Sequence, residues 1–175
     1  KFFHPDPSVI RQSGVLIPTL NESKILGSSI KIPYFHTLSN NQDITITPNL
    51  FTKDLFMLEN EYRLKTDNSS LLADIGFTKG YKSSVSQKKK NISHLFANYK
   101  LNLDIEDYIS SNLELKLQKV TNDTYLKVFD SALSDTKIKP INKDQLTSSL
   151  DLSFEHDKFS FSAGLNSYEN LSGTN

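Results

Sequence analysis

The stretch LENEYRLK, residues 58–65, alternates strictly between two kinds of side chain. Its even positions carry Leu, Asn, Tyr and Leu, whereas its odd positions are all charged: Glu59, Glu61, Arg63 and Lys65. A helix would scatter the apolar groups around its axis, but a β-strand places successive side chains on opposite faces. The stretch therefore predicts a strand with one mostly apolar face and one charged face.

The same alternation recurs along the chain. In NLELKLQ, residues 112–118, three leucines share one face and Lys116 lies on the other; in LLADIGFT, residues 71–78, Asp74 belongs to the polar set. Further alternating segments occur near residues 30–35, 44–47, 94–103, 149–154 and 159–166, and a first strand is expected at residues 14–19. About nine strands and almost no helix follow, so the predicted fold is all-β, an antiparallel up-and-down meander. One helical turn is predicted at residues 123–129, with Asp123 as its cap and Leu126 and Phe129 on one face.

The predicted connections differ between the two ends of this meander. Short turns are expected at residues 39–42, 67–69, 105–107 and 155–158, and longer or more variable connections near 21–24, 52–55, 80–90 and 121–145. Short turns at one end and long loops at the other are typical of outer-membrane barrels, in which the short turns are periplasmic. The strands are also close to the roughly 9–11 residues that a tilted membrane strand needs. The pattern favours a partial transmembrane β-barrel, about nine strands of a larger one.

Two alternatives remain open on the pattern alone. A soluble β-sandwich or jelly roll also alternates apolar and polar residues. A porin or receptor barrel would share the strand pattern without sharing the function. Charges of both signs on the polar faces favour a hydrated lumen over a soluble core.

Composition argues against several classes of function. Lys and Arg number 20, as do Asp and Glu, so no net charge attracts nucleic acid. Cysteine is absent and the four histidines (His4, His36, His94 and His156) are far apart in sequence, so neither thiol chemistry nor a metal site is predicted. The pair Glu59 and Glu61 has the spacing of any polar strand face. We therefore predict no catalytic residues, no cofactor and no enzyme activity.

Several short elements resemble a known family. The run PDPSVIRQSGVLIP, residues 5–18, resembles the start of the barrel in LPS-assembly proteins of the LptD family, where an Arg-x-Ser-Gly-Phe-Leu-x-Pro element follows a periplasmic domain. IPYF (32–35), DITITP (43–48) and EYRL (61–64) follow in the family's order and at about its spacing, and VTNDTYL (120–126) is similar to the loop after its seventh strand. Val15 replaces the usual Phe, His36 replaces a common aromatic residue, and Lys53-Asp54 replaces an Arg-Gly turn.

The resemblance implies a location and a set of partners. A large barrel in the cell outer membrane would receive lipopolysaccharide (LPS) from an LptA-type periplasmic bridge and would work with an LptE-type lipoprotein plug. Residues 1–12 would be a linker from an upstream periplasmic domain, and residues 13–175 the first strands of the barrel. Residues 1–7 lack the apolar core of a signal peptide. We accordingly expect an internal fragment of an exported protein.

The resemblance also implies roles for individual residues. Pro18 and Pro33 would be lateral-gate prolines in the first two strands. They would weaken pairing where the barrel must open, at the seam between its first and last strands through which LPS leaves sideways. Proline lacks a backbone N–H and is confined to strand edges and bulges, so strand-end prolines with no further role are the alternative. Six polar residues are predicted to face the lumen and to accommodate sugars and phosphates: Glu59, Glu61, Arg63, Lys65, Asp74 and Lys116.

Overall fold

A computed structural model of the chain describes residues 11–82 and 90–171. These residues form eleven strands and one short helix. The strands are β1 (Gly14–Val15), β2 (Thr19–Ser23), β3 (Gly27–Lys31), β4 (Tyr34–Ser39), β5 (Gln42–Phe51), β6 (Phe56–Lys65), β7 (Ser69–Tyr81), β8 (Lys90–Asn102), β9 (Ser110–Val120), β10 (Gln145–His156) and β11 (Phe159–Asn170), and the helix is α1 (Tyr125–Phe129). No helix within the described ranges is long and apolar enough to cross a membrane.

All the strands belong to one antiparallel sheet. Its order is β1-β4-β5-β6-β7-β8-β9-β10-β11, with β2 paired to β3 and β3 also paired to β5. The two ends of this order do not pair with each other, so the sheet is open. The predicted all-β antiparallel meander is confirmed, and the open sheet is consistent with part of a barrel.

The strand count differs from the expected nine because of two prolines. Pro18 lies between β1 and β2, and Pro33 lies between β3 and β4. Each proline divides one long strand in two, because it cannot donate a hydrogen bond to the ladder. The eleven strands therefore make nine spans, the number that the alternation predicts.

The predicted contrast between short turns at one end of the sheet and longer connections at the other end is only partly confirmed. Residues 40–41, 66–68, 103–109 and 157–158 connect strands at one end, which we call the turn end. At the opposite end, the loop end, residues 24–26 and 52–55 form connections as short as these turns, so the expectation of longer connections there was wrong. Residues 121–144 form the long connection of that end. The predicted loop at residues 80–90 lies mostly outside the described residues, as does most of the predicted linker at residues 1–12.

The turn before β6 keeps a left-handed conformation without glycine. Asp54 has φ +47°, at the position where the resemblance led us to expect Gly. Asp is among the few non-Gly residues that adopt this region readily. Gly80 lies against this turn, because a Cβ at residue 80 would come within 2.6 Å of the Asp54 carbonyl oxygen. The Lys53-Asp54 departure therefore preserves the backbone of the turn.

The register separates the sheet into an apolar face and a polar face. Tyr62 lies opposite Ala73, which lies opposite Ala97, and Leu117 continues the row. One residue along each strand, a second row runs through Glu61, Asp74, Phe96 and Gln118. The first row belongs to the apolar face, where large side chains such as Ile75 and Phe77 remain 48% and 45% exposed. Such exposure is unusual for a water-soluble protein when it extends across a whole sheet.

Residues 121–144, the covering segment, fold over the loop-end part of the polar face. Helix α1 buries Tyr125, Leu126 and Phe129 in a core that also contains Met57 and Phe96 of the sheet. The helical turn was predicted, and Leu126 and Phe129, expected on one face, are both buried in this core. The predicted Asp123 cap was wrong: the N-cap position is Thr124, whose side chain makes no capping hydrogen bond.

Candidate functional site on the polar face

The six polar residues singled out from the sequence all lie on the polar face. Cross-strand pairs connect Glu61 with Asp74, and Asn98, on the face of Phe96, with Lys116. Glu59 and Asp74 are each 2% exposed beneath the covering segment, whereas Lys116 is half exposed. The shared face is a property of the structure, and a lumen on that side remains a prediction.

Glu59 is the main anchor of the covering segment. Its carboxylate accepts hydrogen bonds from the backbone N–H of Ser134 at 2.6 Å and from the Ser134 hydroxyl at 3.2 Å. The ammonium of Lys31 lies 3.7 Å away and is also buried. A buried carboxylate is tolerated when a counter-charge and hydrogen-bond donors surround it. Glu59 therefore joins β3 and β6 to the covering segment.

A second anchor extends from Asp74 through His94 to the helix. Nε2 of His94 lies 3.2 Å from Asp74, and its Nδ1 lies 2.7 Å from the Tyr125 hydroxyl. Burial raises the pKa of Tyr125, so the phenol stays protonated and can donate to Nδ1. Nε2–H is then free to donate to Asp74, whose other oxygen accepts from the Thr136 hydroxyl at 3.1 Å.

Gly76 makes room for this arrangement. It lies opposite His94, and a Cβ at residue 76 would meet the imidazole Cε1 at 2.2 Å. On its own strand, the His94 ring stacks with Phe96 at a centroid separation of 4.5 Å. The imidazole is therefore held in a slot that only glycine leaves open.

A separate charged cluster lies toward the turn end of the polar face. The Asp43 carboxylate forms ion pairs with two arginines. Nε of Arg63 lies 2.6 Å from one of its oxygens, and Nη2 of Arg11 lies 2.6 Å from the other. Arg63 also lies 3.2 Å from Glu61, and both guanidinium groups lie over the Phe35 ring at 5.7 and 5.8 Å. The cluster joins the start of the described chain to β4, β5 and β6.

Pro18 and Pro33 interrupt the same place in the sheet. Val15 pairs with Tyr34, and regular pairing resumes only where Thr19 meets Lys31. Between these pairs, Leu16 N–H donates to the carbonyl of Pro33 at 2.8 Å. The first span thus holds its neighbour through two short ladders with a gap between them. The structure contains this weak point, and its role in opening remains a prediction.

The covering segment also has an internal tie. Asp130 pairs with Lys139 at 3.0 Å and with Lys143. Hydrogen bonding from Lys143, with help from Lys139, holds the pKa of Asp130 below its ordinary value. This tie closes residues 130–143 into a compact loop.

Sequence reasoning missed several residues of this site. Lys31, Ser134 and Thr136 were not singled out, and His94 and Tyr125 were not connected. The alternation in HLFANYK, residues 94–100, does place His94 among the polar set. No pattern in residues 121–144 indicates which sheet residues they contact. Within residues 11–82 and 90–171, no group of three or more His, Asp and Glu side chains is arranged to hold a metal ion.

Several known proteins that this chain resembles in sequence share one name, LPS-assembly protein LptD. No protein-family model matches the chain. The LPS-assembly protein LptD of Legionella pneumophila (strain Paris) is 28% identical over 170 residues, 92% of this chain and 20% of the relative. Proteins of the same name from Idiomarina loihiensis and Thiobacillus denitrificans are 24% and 23% identical over 74% and 77% of the chain, and 16% and 17% of their own lengths. The chain spans about a fifth of the length of the curated relatives it matches. These similarities, at low identity but over most of the chain, support a relationship to LptD.

Proposed function

We propose that this chain forms the first spans of an outer-membrane β-barrel that transports LPS and assembles it in the outer leaflet. The observation that carries the proposal is the similarity to LptD proteins across the same residues that form the nine-span, two-faced sheet. The residues that match LptD are the same residues that form the sheet. Either observation alone would be compatible with other functions.

The sheet has the properties of a membrane wall. Strands β6 to β11 contain 10 to 13 residues, sufficient for tilted strands to cross the hydrocarbon core. The exposed apolar face suits contact with lipid, and the opposite face carries charges of both signs. Both edges of the sheet need partners, since unpaired backbone groups in hydrocarbon cost several kcal/mol. Further strands of a larger barrel would supply them.

The polar face would border the aqueous passage for the LPS sugars. Its exposed charges, including Lys65 and Lys116, would provide a wet wall beside phosphates and hydroxyls, and the half-buried Arg63 lies on the same face. The covering segment would narrow this passage from the loop end, which corresponds to the cell surface if the turn end is periplasmic.

The first two spans would form one side of a lateral gate. The gap at Pro18 and Pro33 interrupts the pairing between the first and second spans, so the first span would be held less firmly where it must part from the last strand of the barrel. An LptE-type lipoprotein would plug the lumen, and an LptA-type bridge would deliver LPS through an upstream periplasmic domain joined by residues 1–12. These partners follow from the relationship to LptD, and LPS is the proposed cargo.

Depletion of the protein in its own cells tests this function. We expect LPS at the cell surface, measured by antibody labelling of intact cells, to fall as the protein is lost, while porins remain in the outer membrane. Unchanged surface LPS would overturn the proposal. A protein found in outer-membrane fractions but not needed for LPS delivery would be a porin or receptor instead, and one released without detergent would be a soluble β-rich binding module.

A further inference from the structure

A cavity of about 280 Å³ separates the covering segment from strands β8, β9 and β10. The sheet contributes Asn98, Lys116, Gln118 and Thr147, and the segment contributes residues around Lys137 and Asn142. The cavity is partly open and slightly smaller than the roughly 300–1,000 Å³ typical of small-molecule sites. Its volume suits one sugar ring with a substituent, so only one unit of a longer saccharide would enter it.

The charged side chains that line this cavity are all lysines. Three lysines line it, Lys116, Lys137 and Lys139, and no carboxylate does. Lys139 is held by Asp130, and Lys116 lies 3.4 Å from Glu114. Lys137 is exposed and has no ion-pair partner among the described residues. The cavity therefore offers a positive charge that an anionic ligand would neutralise.

Polar groups without partners lie beside these lysines. The side-chain oxygen of Asn98 is buried and accepts no hydrogen bond, although its NH₂ group donates to Glu114 at 3.2 Å. The Gln118 side-chain oxygen accepts from the backbone N–H of Thr147, which leaves the Gln118 NH₂ group without a partner among the described residues. A buried acceptor and a spare donor are what a ring hydroxyl would satisfy.

We propose that this cavity binds a phosphorylated sugar, with Lys116 and Lys137 contacting the phosphate and Asn98 and Gln118 contacting ring hydroxyls. The inference rests on the proposed function, under which the ligand is the phosphorylated sugar portion of LPS as it passes the covering segment. Lysine is a common phosphate ligand, because its ammonium forms charge-assisted hydrogen bonds to the phosphate oxygens.

Direct binding to the full-length protein in detergent tests the site. The probes are glucose 6-phosphate, glucose, inorganic phosphate and deacylated LPS, measured by calorimetry and by competition. We expect glucose 6-phosphate to bind about tenfold or more tightly than glucose or phosphate alone, and deacylated LPS to displace it. Equal binding of the three small probes, or no displacement by deacylated LPS, would overturn the proposal.

Matched lysine variants locate the binding. In Lys116→Gln with Lys137→Gln, affinity for glucose 6-phosphate should fall about tenfold or more, as expected when charged hydrogen bonds are lost. The control, Lys119→Gln with Lys127→Gln, removes the same charge from residues outside the cavity, Lys119 lying opposite Leu95 of the apolar face. Equal losses in both variants would show a diffuse charge effect and overturn the site. If the first pair does not fold, Lys137→Gln alone gives the same test on an exposed residue. Depletion measures LPS delivery separately, so this site can fail while the proposed function stands.

Discussion

The imidazole of His94 lies directly over Gly76, so close that a Cβ at residue 76 would come within 2.2 Å of the ring. This contact puts His94 within reach of both Asp74 on β7 and Tyr125 on the covering segment. The absence of a side chain at Gly76 thus determines how the covering segment is held against the sheet at Tyr125, 49 residues later in the chain.

Gly76→Ala should loosen the covering segment. The added methyl group displaces the imidazole and breaks its two side-chain contacts, each a net contribution of roughly 0.5–1.5 kcal/mol. Limited proteolysis within residues 121–144 should accelerate several-fold. Gly14→Ala is the control, because a Cβ there meets nothing within 4 Å. Equal cleavage of wild type and Gly76→Ala would contradict the anchoring role of His94.

Glu59→Gln should also release the segment, and for a different reason. It leaves the buried Lys31 ammonium without its counter-charge, and breaking one side of a buried pair costs roughly 3–5 kcal/mol. Proteolysis of residues 121–144 should therefore be faster than in wild type. Adding Lys31→Met removes the stranded charge and should restore part of the protection. If the double variant is no better protected than Glu59→Gln, the Lys31–Glu59 pair is not the source of the effect.

A charge on the apolar face should harm assembly more than a charge reversal on the polar face. Leu115 lies opposite Tyr99 and Leu150, and Lys116 lies opposite Asn98 and Ser149. Arg on a lipid-facing position near mid-membrane costs roughly 2–4 kcal/mol, whereas lumen positions tolerate changes better. We expect a lower yield of folded protein in outer-membrane fractions for Leu115→Arg than for Lys116→Glu. Similar yields would mean that the two faces are assigned incorrectly.

Under the proposed function, replacing both Pro18 and Pro33 should slow LPS delivery without preventing assembly. Pro18→Ala with Pro33→Ala restores two backbone donors where the ladders of the first two spans are interrupted. A continuous ladder would hold the first span more firmly to the second and would make it harder to draw the first span away from the seam, since each unsatisfied backbone group in hydrocarbon costs several kcal/mol. The rate at which newly made LPS reaches the surface should fall, while the amount of folded barrel stays the same. Normal delivery in a fully assembled double variant would mean that both prolines are strand-end residues with no role in opening.

Alternation predicted the sheet because a strand's two faces follow from local sequence alone. The segment LENEYRLK is sufficient to place Glu59 and Arg63 on one face, and the prolines at 18 and 33 account for the two interruptions. The short turn at residues 52–55 was not predicted, although Asp54 is of a residue type that tolerates the left-handed conformation found there.

The site on the polar face could not be derived in the same way. Glu59 and Ser134 are 75 residues apart, and their contact depends on how a non-repeating loop folds back over the sheet. Residues 121–144 have no periodicity that selects a partner. The cluster of Arg11, Asp43 and Arg63 likewise forms only when strand register brings β5 beside β6 and the preceding chain over them.

The proposed function and the proposed sugar site both depend on which face of the sheet contacts lipid. Nitroxide labels at Leu115 and Lys116 test this assignment most directly. The two residues are adjacent on β9 but belong to opposite faces. In outer membranes, the label at residue 115 should be relaxed mainly by oxygen, which dissolves in lipid, and the label at residue 116 mainly by a water-soluble nickel chelate. Equal accessibility of both labels to the nickel chelate would contradict a membrane wall and favour a soluble β-rich module.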